Sequence, residues 1–163
     1  MFKKKGVGCF LGVIALCWTS GGQAEEMPKP DAAAVWKFIT QDSSYKNWER
    51  LPEELKTHSS FVPDTDVQKT YANKQALEST ELPLNNESMV VKYNLSPANE
   101  VKAITIMYKV KGYNPTAGDW FWVQYGPDGE VQEEGKPESC IGCHSKRVDN
   151  DYILAHKLAG GLK

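Results

Sequence analysis

The sequence predicts an α+β domain: a mainly antiparallel β-sheet, helices ahead of it, and one C-terminal helix that carries a cysteine pair. Three observations predict it. The middle of the chain holds short runs of strand-forming residues, some alternating with a period of two. The segment after Asp31 has apolar residues at helical spacing. The last third contains Cys140-Ile141-Gly142-Cys143-His144, and on a helix the i, i+3 and i+4 positions Cys140, Cys143 and His144 share one face.

The elements follow in order. Glu25 to Pro30 is a charged leader with proline in it. Asp31 can cap a helix, and Ala34, Val35, Phe38 and Ile39 continue it. Tyr45, Trp48 and Leu51 read as a second helical piece, limited by Pro52. Residues 53–66 are polar and read as a loop. Val67 to Asn73 reads as a strand and Lys74 to Ser79 as a helical turn. Ser88 to Leu95 and Val101 to Val110 are strands. In the second of these Ile104, Ile106, Tyr108 and Val110 share a face, opposite Thr105, Met107 and Lys109. Trp120 to Tyr125 is an aromatic strand. Gly126-Pro127-Asp128-Gly129 is a turn, after which Glu130 to Glu133 returns as a short strand. The cysteine pair lies on a helix from about Glu138 to Arg147, and Asp149 to Leu158 closes the chain.

Composition bounds the function. The 163 residues carry a formal charge of −2, without the basic excess that phosphate recognition needs, which argues against nucleic acid as the main partner. Four cysteines are too few for a disulfide-dense scaffold.

Residues 1–24 have the grammar of a secretory signal peptide. Lys3, Lys4 and Lys5 precede an apolar run from Val7 to Trp18, and Gly22-Gln23-Ala24 offers small residues for cleavage. The run falls short of the roughly 20 residues a membrane span needs, and Gly6, Gly8 and Gly12 weaken it as a helix. A lipoprotein signal through Cys17 lacks a small residue before the cysteine, where Leu16 stands. Cleavage after Ala24 would leave residues 25–163 as a single domain in the periplasm, with Cys140 and Cys143 as its two cysteines.

Cys-x-x-Cys-His is the attachment signature of a c-type haem. Two thiols add to the vinyl groups of one porphyrin, and the imidazole reaches the iron. On this reading the cofactor is one covalent haem c, held by Cys140 and Cys143, with His144 as the proximal iron ligand. Three other readings compete. A structural zinc site needs four ligands, and Cys140, Cys143, His144 and His156 could contribute, but no further histidine completes a finger pattern. A thioredoxin-like dithiol follows the first strand of a βαβ unit, a pattern not seen here. A plain disulfide gives His144 no role.

Small electron-transfer cytochromes c carry this motif near the mature N-terminus. Four-helix cytochromes c prime carry it near the C-terminus but cannot hold a sheet. A C-terminal motif behind an antiparallel sheet resembles the cytochrome P-460 family, which includes the cytochromes c prime-beta. The resemblance rests on Val35-Trp36 with Tyr45 and Trp48, Met89-Val90-Val91-Lys92, Ile106-Met107, Lys111-Gly112-Tyr113-Asn114-Pro115, Gly118-Asp119-Trp120-Phe121-Trp122, and Cys140 to His144.

That resemblance implies one five-coordinate haem in a periplasmic homodimer. It implies binding of a small nitrogen species at an open iron site, and an external redox partner for the electrons. Hydroxylamine-oxidising members join a lysine covalently to the porphyrin edge; prime-beta members lack that bond, carry aromatic caps and bind nitric oxide or carbon monoxide. Lys92 matches the cross-linking lysine. Alternation groups Lys92 with Val90 and Asn94, opposite Met89, Val91 and Tyr93, and does not say which group faces the haem. The oxidising members also use a distal carboxylate. It falls near Met107, where Thr105, Met107 and Lys109 offer no acid, and Glu100 and Asp119 are the nearest alternatives. Met107 or His58 as a sixth ligand would instead make a simple electron-transfer cytochrome, and Phe61 and Tyr71 are candidates to cap the distal face. Met89, Trp120 and Trp122 read as packing residues.

Overall fold

The computed structural model describes residues 26–52, 67–154 and 157–160. Six strands form one antiparallel sheet in sequence order: β1 (Glu49–Arg50), β2 (Val67–Ala72), β3 (Met89–Leu95), β4 (Val101–Lys109), β5 (Trp120–Tyr125) and β6 (Val131–Gly135). Each strand pairs with the next, the simplest topology for consecutive short connections. The fold is α+β and mainly sheet, as the alternation predicts.

The helices are short. Asp31 caps α1 (Ala32–Lys37), accepting a hydrogen bond from the Ala34 N–H at 2.9 Å. The helix widens into a π turn over Phe38–Asp42. A brief α2 (Lys74–Leu77) follows β2, and α3 (Glu138–His144) runs into a 3-10 segment at Ser145–Asn150. The second helical piece expected at Tyr45 to Leu51 is mostly something else. Only Tyr45–Asn47 makes a 3-10 turn. Glu49 and Arg50 then pair with Ala72 and Tyr71, and the Leu51 N–H donates to the Thr70 carbonyl at 2.9 Å. The i, i+3 spacing of Tyr45, Trp48 and Leu51 is real, but an available sheet edge overrides it.

Two apolar clusters lie on opposite faces. One holds Val35, Phe38 and Ile39 against Met89, Val91, Ile104, Ile106, Phe121 and Val123. Two phenols tie the N-terminal segment to this face: Tyr125 OH donates to the Ala32 carbonyl at 2.6 Å, and Tyr108 OH to that of Pro28 at 3.0 Å. The other cluster holds Val90, Met107, Trp120 and Trp122 against Tyr152, Ile153 and Leu158, with Cys140 and Ile141 of α3 packed on it. The C-terminal segment therefore covers the second face. The leader 1–24, the loop 53–66 with His58 and Phe61, and His156 lie outside the described residues.

Candidate haem site

Strand register settles which side Lys92 faces. Thr70, Lys92, Thr105, Gln124 and Glu133 are successive partners across β2 to β6, and so share one face. The neighbouring row on that face is Ala72, Val90, Met107, Trp122 and Gly135. Val90, Met107 and Trp122 belong to the cluster on which Cys140 and Ile141 pack. Lys92 thus looks toward the cysteine helix, and Met89, Val91 and Tyr93 look away. Burial holds the Lys92 ammonium below the usual lysine range; the nearby Cys143 and Cys140 work against that shift.

The cysteines are free and part-buried. Burial pushes the Cys140 thiol up to about 11, the Ser139 hydrogen bond opposes this, and Glu133 adds to it. The attacking thiol of a redox dithiol shows the reverse, a thiolate favoured near neutral pH. Among the described residues no group of three or more His, Cys, Asp or Glu side chains could hold a metal ion.

His144 ends α3. Its Nδ1 lies 2.7 Å from the Tyr152 carbonyl oxygen. A carbonyl only accepts, so Nδ1 carries the proton and Nε2 keeps its lone pair. Burial, the largest cause, and the nearby Lys92 lower the imidazole pKa, while the Tyr152 bond raises it. This is a neutral imidazole with a fixed tautomer, as an iron ligand requires. The Trp122 ring stands 6.4 Å from His144 and 6.3 Å from Tyr152, both edge-on. Its indole nitrogen is buried and has no hydrogen-bond partner among the described residues.

Two thiols three residues apart, a neutral imidazole beside them, a facing amine and an orphaned indole N–H form a donor set that fits a c-type haem. The cytochrome P460 family profile matches residues 42–155. The chain belongs to the cytochrome P460 family. Members of this family are c-type haem proteins. No curated protein matches the chain.

Within the cytochrome P460 frame the other candidates sort by face. Met107 is on the site face but buried in the apolar cluster with Val90 and Trp122. Tyr71 pairs with Val91 and meets Tyr45 edge-to-face with ring centroids 5.4 Å apart, so it lies on the far face and cannot cap the iron. Met89 is fully buried on that far face. Trp120 and Trp122 both pack in the site-face cluster with the chain's own C-terminal segment. Glu100 is exposed and pairs with Lys102 at 3.0 Å. Asp119 is structural: its carboxylate accepts from the Gly112 and Asn114 N–H groups at 2.9 and 3.1 Å.

The site face carries a carboxylate beside the cysteine helix at Glu133. It accepts from Ser139 Oγ at 2.6 Å and lies 3.7 Å from Cys140 Sγ. Sequence reasoning places Glu133 on a returning strand without giving it a side. The signal is the register Lys92, Thr105, Gln124, Glu133, which needs every strand pairing in between.

Proposed function

We propose that this protein is an exported, periplasmic mono-haem c-type cytochrome, active as a homodimer, that binds and oxidises hydroxylamine or a related small nitrogen species. The observation that carries this reading is the shared face of Lys92 and the Cys140–His144 helix. When bound, the haem supplies an iron at which a small nitrogen ligand can be held and give up electrons. Cys140 and Cys143 would hold it through thioether bonds, and His144 Nε2 would donate to its iron, the ring being held by the Tyr152 carbonyl.

Lys92 is the nucleophile of this reading. Its burial favours the neutral amine. A bond from its Nζ to the porphyrin edge would replace one N–H and one C–H by a C–N bond, with two electrons and two protons passing to an oxidant of the peroxide class. Oxidation of hydroxylamine to nitric oxide releases three protons and three electrons. Glu133 takes up protons, and an external redox partner takes the electrons. A second reading, nitric oxide binding without turnover, is favoured by one observation: β4 turns Thr105 and Met107, and no acid, toward the site.

The test is turnover of hydroxylamine by the holoprotein, made with c-type haem maturation and supplied with an artificial electron acceptor. The oxidase reading expects turnover that falls about 10²–10⁴-fold in Glu133→Gln. Nitric oxide binding with no turnover selects the second reading.

A further inference from the structure

The turn that fixes His144 is itself held by a buried ion pair outside the haem motif. Asp151 and Tyr152 follow one another at φ +50° and +67°, left-handed conformations that non-glycine residues rarely adopt. Their arrangement brings the Tyr152 carbonyl to His144 Nδ1. Lys109 Nζ, at the end of β4, donates to both Asp151 carboxylate oxygens at 2.8 and 2.7 Å and to the Gly118 carbonyl at 2.7 Å. Both side chains are 5% exposed. The other Asp151 contacts close the knot. Its carboxylate accepts from the Leu84 N–H at 2.8 Å, and its carbonyl accepts from the Trp120 indole N–H at 2.9 Å. The Tyr152 ring lies against Gly118, where an added Cβ would sit 2.9 Å from it.

We infer that Lys109 and Asp151 are positioning residues for the proximal ligand: together they set the Tyr152 carbonyl against His144 and so tune the strength of its bond to iron. The inference rests on the proposed reading of His144 as the haem ligand. A buried ion pair gives little net stability compared with an apolar pair of the same shape. The backbone N–H groups of Asp151 and Tyr152 already tie the turn to the flanking 3-10 segment, donating to the Val148 and Arg147 carbonyls at 3.2 and 2.8 Å; what the ion pair adds is a second anchor, to the end of β4. A firm Nδ1–H···O=C bond raises the basicity of Nε2, strengthens its donation and favours the ferric state.

The test uses the holoprotein and two readouts that a loss of global stability alone does not move, the iron–histidine stretching band of the ferrous form and the reduction potential. Asp151→Asn and Lys109→Met are expected to shift the band to lower frequency and raise the potential. Lys109→Arg is expected to restore both in part. Trp120→Phe, which removes the indole hydrogen bond to the turn and keeps an aromatic ring of smaller size near Lys109, is expected to give a smaller shift of the same sign, and it serves if the charge variants fail to fold. Val123→Ala on the opposite face is the control for lost stability. Band and potential unchanged in Asp151→Asn, Lys109→Met and Trp120→Phe, with melting lowered as in the control, would overturn the inference. An unaltered holoprotein with no iron–histidine band would overturn the ligand assignment, and the inference with it.

Discussion

Val91, Ile106 and Val123 lie side by side across β3, β4 and β5; one residue away on each strand, Lys92, Thr105 and Gln124 lie side by side on the opposite face. The first row is closed by the N-terminal helix and is apolar throughout. The second is polar, and its neighbouring apolar row is covered by the cysteine helix and the C-terminal turn. Because strand side chains alternate, a slip of one residue would exchange the two rows. The apolar face therefore fixes register, and that register aims Lys92 and Glu133 at the site. Stability and chemistry are divided between the faces, and variants of each face should separate them.

The largest effect is expected from the cysteines. The double substitution Cys140→Ala, Cys143→Ala removes both thioether donors, and haem staining of the denatured protein on a gel should disappear entirely. The counterpart on the other face is Phe121→Ala. Phe121 is fully buried, and the change should cost about 3–5 kcal/mol in urea unfolding while the folded fraction keeps its covalent haem.

Smaller effects of opposite sign are expected in alkali, measured on apoprotein by urea unfolding at a series of pH values. On the apolar face, burial raises the Tyr108 phenol from 10.0 to about 12, and Glu87 adds to it. A raised pKa contributes stability that is complete below pH 10 and lost as pH rises toward 12. Tyr108→Phe should flatten that loss. On the site face, burial lowers the Lys92 pKa below 10.5. The unfolded chain then binds the extra proton, so stability rises as pH climbs through the folded-state pKa toward 10.5. Lys92→Met should abolish that rise and make the apoprotein more stable at neutral pH.

Much of the fold is legible in the sequence because alternation and turn chemistry act locally. Ile104, Ile106 and Tyr108 announce β4, and Gly126 to Gly129 announces the β5–β6 turn. The proposed haem-holding set Cys140, Cys143 and His144 is legible because the attachment motif has a fixed local spacing. What escapes is long-range. Lys92 has mixed neighbours on both sides of its strand, and only the packing of Cys140 and Ile141 on the cluster with Val90 and Trp122 decides its face. Glu133 joins the site through three strand pairings, and Lys109 meets Asp151 across 42 residues. Tyr45, Trp48 and Leu51 mislead for the same reason: their local helical spacing gives way to a pairing with β2.

The most direct test of the shared face is the visible spectrum of the reduced holoprotein compared with that of Lys92→Met, both made with c-type haem maturation. The expected result is a covalently held haem whose Soret band is shifted far to the red in the unaltered protein and returns to an ordinary high-spin c-type position in Lys92→Met. A colourless protein, or identical spectra for the two, would contradict it.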